Sequence, residues 1–256
     1  FIISIGAGEY NIAPMDVIRT LLHMETGDKN YSFVVNQLRL PRALVAFMSG
    51  SMLALSGAIL QTLTRNALAS PDITGVTAGA SLAAVLLIAF IPGASLALLP
   101  LAALFGGLVA AALIYLLAWR GGDSPMRLIL IGIGLGAVLG AAQSMMMLTA
   151  PIEQVQAALH WLTGSIYART WKHFWALAPW FAVLGTLTVH SARHLDVLNL
   201  GDDISRGLGM RVNRERLITL VAAVGLAAVA VSQVGAIGFV GLVAPHLARK
   251  QDPGGV

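Results

Sequence analysis

The residues of this 256-residue chain that could take part in chemistry are six histidines, twelve carboxylates and three lysines, with no cysteine. Without a thiol there is no Cys nucleophile, no thiolate zinc site and no disulfide framework. His23, His160, His173, His190, His194 and His246 are dispersed. His190 and His194 stand at i, i+4 with no carboxylate facing them in the sequence, at the end of an apolar run where an interfacial or solvated place is the better reading. Met145, Met146 and Met147 read as pliable packing rather than a thioether metal site, because consecutive residues point to different helix faces. None of Lys29, Lys172 and Lys250 stands in a G-x-x-x-x-G-K-[ST] phosphate loop. Spacing assembles no catalytic or metal set, and direct metal binding is not expected.

Two polar stretches between apolar runs stand out. In "RNALASPDITG", residues 65–75, Pro71 and Gly75 break a helix and Asp72 can cap the next one. In "DVLNLGDDISRGLGMRVNRER", residues 196–216, Asp202 or Asp203 can cap a short helix, Gly209 can end it, and Asn213 with Glu215 can start another. A short capped helix in a loop is a rigid knob that can seat in a partner's groove.

The elements that must position these stretches are set by hydrophobicity. Of the residues 57% are hydrophobic and 11% charged, and the mean hydropathy is +0.79, outside the range of soluble domains. Crossing a bilayer takes roughly 20 mostly apolar residues, and such runs fall at 43–63, 73–91, 96–118, 128–149, 174–191 and 217–236, with a shorter piece at 237–248. Phe1–Ile5 reads as the end of an earlier span, entering a polar segment. Small residues recur at helical spacing (Gly50, Ala54, Ala58; Gly75, Gly79, Ala83; Gly132, Gly136, Gly140) and let helix backbones approach closely. The expected architecture is all-α, a polytopic transmembrane helix bundle forming one domain over residues 1–256.

The formal net charge is +4. It reflects topology rather than nucleic acid binding, since no basic run carries interleaved aromatics. If each run crosses once, one side holds Arg65, Arg120, Arg127, Arg193, Arg206, Arg211, Arg214, Arg216, Arg249 and Lys250, and the other holds Arg19, Lys29, Arg39, Arg42, Arg169 and Lys172. The first set is expected to face the cytoplasm. Span interiors carry essentially no ionisable residue, which argues against proton relays, voltage sensors and ion-coupled carriers. Ser56, Gln61, Thr77, Gln143, Ser144 and Gln233 suit a weakly polar path for a bulky solute, although each alone is more often an interhelical hydrogen bond. If transport is driven by ATP, a separate subunit supplies the ATPase.

Five separated motifs resemble the FecCD family, the permease subunits of ABC importers for ferric siderophores, heme and cobalamin. They are "RLPR" at 39–42, "GSMLALSGAILQTLTRNALASPDITGVTAGAS" from Gly50 to Ser81, "WLTGS" from Trp161 with the later Trp171, "LGDDISRGLGMRV" from Leu200 to Val212, and "GAIGFVGLVAPHLAR" from Gly235 to Arg249. The resemblance implies a type II importer permease fold of ten spans, of which this chain looks like an incomplete copy lacking the first and last two. It implies a non-enzymatic transport subunit of the bacterial inner membrane that binds no cofactor, with ATP and Mg on the partner ATPase. Implied partners are the ATP-binding cassette subunits, a periplasmic or lipoprotein substrate-binding protein, a second permease chain (identical or paralogous) and membrane lipid.

By the same resemblance, Asn66 and Leu68 narrow the cytoplasmic exit of the pathway, and a small polar group beside an apolar one can make a closable constriction. The family usually has Asn-Pro-Leu there, and Ala67 replaces the proline. Arg39 and Arg42 would meet carboxylates of the binding protein, for which guanidinium forks are suited. Snorkelling at a helix start is the competing reading for Arg42. Asp202, Asp203, Ser205, Gly207, Leu208 and Gly209 would dock on the ATPase within the coupling loop 196–216. The expected substrate is a ferric siderophore, with cobalamin or heme as the alternative inside the family and an ion-coupled carrier or a membrane scaffold outside it.

Overall fold

The computed structural model describes residues 1–24, 28, 30–72, 74–91, 95–118 and 125–251. Lys29 and Arg120, used above for orientation, and the closing residues 252–256 lie outside the described residues. The described elements are helical: α1 (Ile2–Gly6), α2 (Pro14–Leu21), α3 (Asn30–Phe33), a π-helical turn (Val34–Arg39), α4 (Leu40–Thr64), α5 (Val76–Phe90), a 3₁₀ turn (Leu96–Leu98), α6 (Leu99–Ala118), α7 (Pro125–Thr149), α8 (Ile152–Leu162), α9 (Trp171–Asn199), α10 (Asp202–Gly207), α11 (Val212–Val234) and α12 (Val240–Gln251).

Five of these segments are long and apolar enough to cross a membrane: Asn30–Thr64, Leu99–Ala118, Arg127–Thr149, Trp171–Asn199 and Val212–Val234. The run at 73–91, read above as a full span, is the exception. Its helix α5 has 15 residues, about 22 Å at 1.5 Å per residue against a hydrocarbon core of roughly 30 Å. The helix starts late because Thr74 is still in the preceding turn, its hydroxyl on the Pro71 carbonyl at 3.0 Å, and because Gly75 takes the left-handed conformation with φ +78°.

Helices α4 and α11 form the centre, flanked by α9 and α12, with α5, α6 and α7 stacked outward. Met52, Leu53, Ile59 and Leu60 of α4 meet Leu226, Val231 and Ala223 of α11 and Leu177 of α9 in one core. Within it Ser56 donates to the Ala223 carbonyl at 2.7 Å. Small residues fix the spacing between layers. A Cβ on Gly79 would lie 2.4 Å from Ala110 Cβ, and one on Gly57 would strike the Gly241 carbonyl, so the pairs α5–α6 and α4–α12 pack backbone to backbone. The polar segment expected after α1 is folded: Ile5, Ile12, Val17 and Val35 are buried together as a small second core.

Helix α8 is an element the hydropathy reading did not separate. Helix α9 extends beyond the expected 174–191 at both ends. Its start is set by a capping box between Thr170 and His173, and its last turns carry it into the stretch at 196–216.

Candidate coupling face and pathway turn

The knob expected at 196–216 exists, but it is held differently. Helix α10 follows Gly201, and neither Asp202 nor Asp203 caps it through a side chain. Asp202 instead accepts two hydrogen bonds from Arg216 Nη2 at 2.9 and 3.1 Å and lies 3.5 Å from Arg65 Nη2. That same Arg65 nitrogen donates to the Leu198 carbonyl at 3.0 Å. Ser205 is fully buried, its hydroxyl donating to the Val197 and Gly201 carbonyls at 2.8 and 2.6 Å. Gly209, φ +82°, closes the helix as expected. The Met210 amide reaches the Ser205 carbonyl at 3.0 Å and the Gly209 amide the Arg206 carbonyl at 2.9 Å, which is a Schellman closure. The following helix starts at Val212 after Arg211, not at Asn213.

Six residues of the stretch thus divide by side chain. Asp202 and Ser205 face inward. Asp203, Gly207, Leu208 and Gly209 are exposed, and Leu200 and Ile204 are further exposed apolar groups of this segment beside Leu208 in sequence. Exposed apolar side chains interspersed with Asp203 and Arg206 have the composition of a protein contact. Ile204 and Leu200 were not singled out in the sequence. Their signal is only isolated apolar residues in a polar stretch.

The turn at 65–75, expected to narrow the pathway, lies beside this knob. Helix α4 ends at Arg65 in the left-handed region, φ +50°. Asn66 Oδ1 then accepts the Leu68 amide at 2.9 Å, an Asx turn that holds the backbone where the family has proline. Leu68 is 67% exposed and Asn66 half-buried. Asp72 does not cap α5. Its Oδ1 accepts from the Thr77 hydroxyl at 3.2 Å and its Oδ2 accepts the Phe239 amide, also at 3.2 Å, 167 residues away at the start of α12. Burial raises its carboxyl above the usual carboxylate range, against the lowering by these two hydrogen bonds. Gln61 completes the tie, donating weakly to the Gly241 and Leu242 carbonyls at 3.5 and 3.4 Å and accepting from Arg249.

At the opposite end of the bundle Arg39 is engaged inside the chain. Its Nη1 donates to the Ile5 and Gly6 carbonyls at 2.7 and 3.0 Å and its Nη2 to the Tyr10 carbonyl at 2.6 Å. Arg42 is exposed. Trp171 donates to the Asn36 carbonyl in the π-helical turn at 2.9 Å, and Gly164 and Gly235, both with positive φ, bring "WLTGS" against "GAIG". The last motif thus joins both regions, Gly235 against "WLTGS" and Phe239 and Arg249 against the turn of Asp72 and Gln61.

Of the residues read as pathway lining, Ser56, Gln61 and Thr77 are the ties just described, and Ser144 bonds back to Gly140 in its own helix at 3.0 Å. Gln233 lines a cavity at the Arg39 end. The structure also brings Glu215 to His194, Oε2 to Nδ1 at 3.0 Å, a carboxylate that spacing along the chain did not reveal. Among the described residues no three His, Cys, Asp or Glu gather as a metal set.

Residues 1–251 match the model of the FecCD transport family. The chain belongs to that family. It is 42% identical over 258 residues to the iron(3+)-hydroxamate import system permease protein FhuG of Bacillus subtilis (strain 168), covering 98% of this chain and 76% of the relative. The Fe(3+)-citrate import system permease protein YfmE of the same organism is also 42% identical, over 97% of this chain and 74% of its own length. A solved inward-facing structure assigned to the metal-chelate type of ABC transporter superposes with a TM-score of 0.86 at 30% identity, over 97% of this chain and 76% of that one. This FecCD chain is a multi-pass membrane permease of the ABC transporter kind with the all-helical fold of that class.

Proposed function

We propose that the chain is the membrane-spanning subunit of an ATP-driven importer that passes a ferric siderophore from a substrate-binding protein outside the bacterial inner membrane to the cytoplasm. The observation that carries the reading is the bridge Arg65–Asp202–Arg216, which joins α10 to the turn holding Asn66 and Leu68. A push on the exposed face of α10 reaches the C-terminus of α4 through one guanidinium, so nucleotide-driven motion of a separate ATPase, which binds ATP and Mg, can open or close the exit. Asp203, Leu208, Gly207 and Gly209 belong to the docking face of the coupling loop 196–216, with Asp202 and Ser205 holding its shape. Residues 1–256 act as one permease unit that pairs with a second copy or a paralogue.

Arg42 offers the free charge for the binding protein, and Arg39 stiffens the segment beside it. Iron chelates are favoured over cobalamin or heme by the names of the relatives, which specify hydroxamate and citrate iron complexes. The test is a pull-down with the partner ATPase together with radioiron uptake. Asp203→Lys is expected to abolish association with membrane insertion intact, and unchanged association would sink the reading.

A further inference from the structure

A cavity at the Arg39 end has a volume of about 1050 Å³, bounded by the end of α5, the start of α6, α8, the start of α9 and the end of α11. It lies across the full length of α11 from the coupling knob, roughly 33 Å for that helix of 23 residues. Its walls are largely apolar, and apart from the phenol of Tyr167 the ionisable groups among its described lining residues are basic: Arg169, Lys172, His160 and His173. No carboxylate is among the described lining residues to balance them.

Arg169 is the centre of this charge. Its Nε and Nη2 donate to the Ser165 carbonyl at 3.3 and 3.2 Å, and Nη1 lies 3.2 Å from His173 Nε2. A guanidinium has five N–H groups, so one on each terminal nitrogen is left over, the fork that fits a carboxylate. Burial holds its pKa below the ordinary arginine range, a cost that a bound anion would offset. An independent sign of a missing group comes from Gln154, also in the lining: its side-chain oxygen is buried and takes no hydrogen bond among the described residues. An unmet acceptor beside unmet donors suits a guest that carries both anionic oxygens and hydroxyl or amide hydrogens.

We propose that this cavity is a binding station for a carboxylate-bearing metal chelate, its anionic oxygens held by Arg169 and Lys172 and its donor group by Gln154. This rests on the importer reading above, and makes the permease itself, not only its binding protein, selective for chelate charge.

The probe is radioiron-labelled ferric citrate, measured by equilibrium dialysis against the full chain in phosphatidylcholine nanodiscs, with a neutral ferric trihydroxamate as control. Saturable ferric citrate binding is expected, weaker or absent for the neutral chelate. Arg169→Gln should weaken it by ~10-fold or more, the size of one lost charged hydrogen-bonded contact, with Arg169→Lys intermediate and Gln154→Leu weaker for citrate at unchanged helix content. No saturable binding, equal binding of the neutral chelate, or binding indifferent to Arg169→Gln would overturn the proposal. So would loss of ferric citrate binding in phosphatidylglycerol nanodiscs, which would assign the cavity to a lipid headgroup. ATPase association of Arg169→Gln is measured in parallel. Failure of chelate binding with association retained refutes the station alone, whereas absent association in the unaltered chain refutes the importer reading.

Discussion

Asp202 shows how a residue's chemistry depends on neighbours far along the chain. In the sequence it is a helix cap or a contact for a partner; in the fold its carboxylate sits between Arg65, 137 residues away, and Arg216. Asp202→Asn is expected to destabilise the chain by about 1.5–3 kcal/mol, the range for a hydrogen bond to a charged group, seen as a lower unfolding temperature in detergent and faster amide exchange over α10. An unchanged midpoint would show that the bridge does not hold the knob. Asp72 gives a pH prediction. Its folded-state pKa is raised, so over the interval from the ordinary carboxylate value up to the raised one the folded state holds more proton than the unfolded state. Stability therefore falls as pH rises through that interval and is flat above it. Asp72→Asn should remove this slope in unfolding measurements across mildly acidic pH, while still accepting the Phe239 amide.

At the scale of elements, length and termination separate what periodicity alone merges. The runs at 43–63, 96–118 and 128–149 became α4, α6 and α7 close to their expected limits, because continuous apolar sequence at helical spacing has no other way to satisfy its backbone in lipid. The run at 73–91 gave a shorter helix, since a polar turn anchored at Pro71, Asp72 and Gly75 takes its first residues. Gly209 was legible as a helix end because only a residue without Cβ adopts φ +82° at little cost. Gly209→Val should therefore destabilise α10 by about 1–2 kcal/mol, the penalty for a left-handed L-residue, and reduce ATPase association while insertion, checked by membrane fractionation, is retained. Association equal to that of the unaltered chain would mean that α10 need not keep this closure to dock.

At the scale of the molecule, burial is uneven. In the most apolar stretch of α11 72% is buried, against 11% for α7. Gly134, Val138, Ala141, Met145 and Leu148 fall on one face of α7 and are exposed, and Gly134 has open space where a Cβ would be. Small and apolar groups in one row are the surface by which transmembrane helices associate, so this face is expected to meet the second permease chain. The absence of native cysteine makes the test clean: Met145→Cys should give a disulfide-linked dimer on oxidation in membranes, and Val109→Cys, on the exposed side of α6, should not. Equal cross-linking at both, or none at Met145→Cys, would remove α7 as the interface.

Helical class, membrane setting, family resemblance and the places where chain direction changes were all legible along the chain. Hydrophobicity, proline, and glycine in left-handed turns act locally and leave a one-dimensional trace. It took the packed bundle to show that Asp202 faces inward and Asp203 outward, that Arg39 holds the Ile5, Gly6 and Tyr10 carbonyls, that Asp72 serves α12 rather than α5, and that Arg169, Lys172 and Gln154 share one cavity. These depend on which residues meet across the bundle. That is set by how glycine-lined helices such as α5 and α6 seat against one another, and no local spacing encodes it.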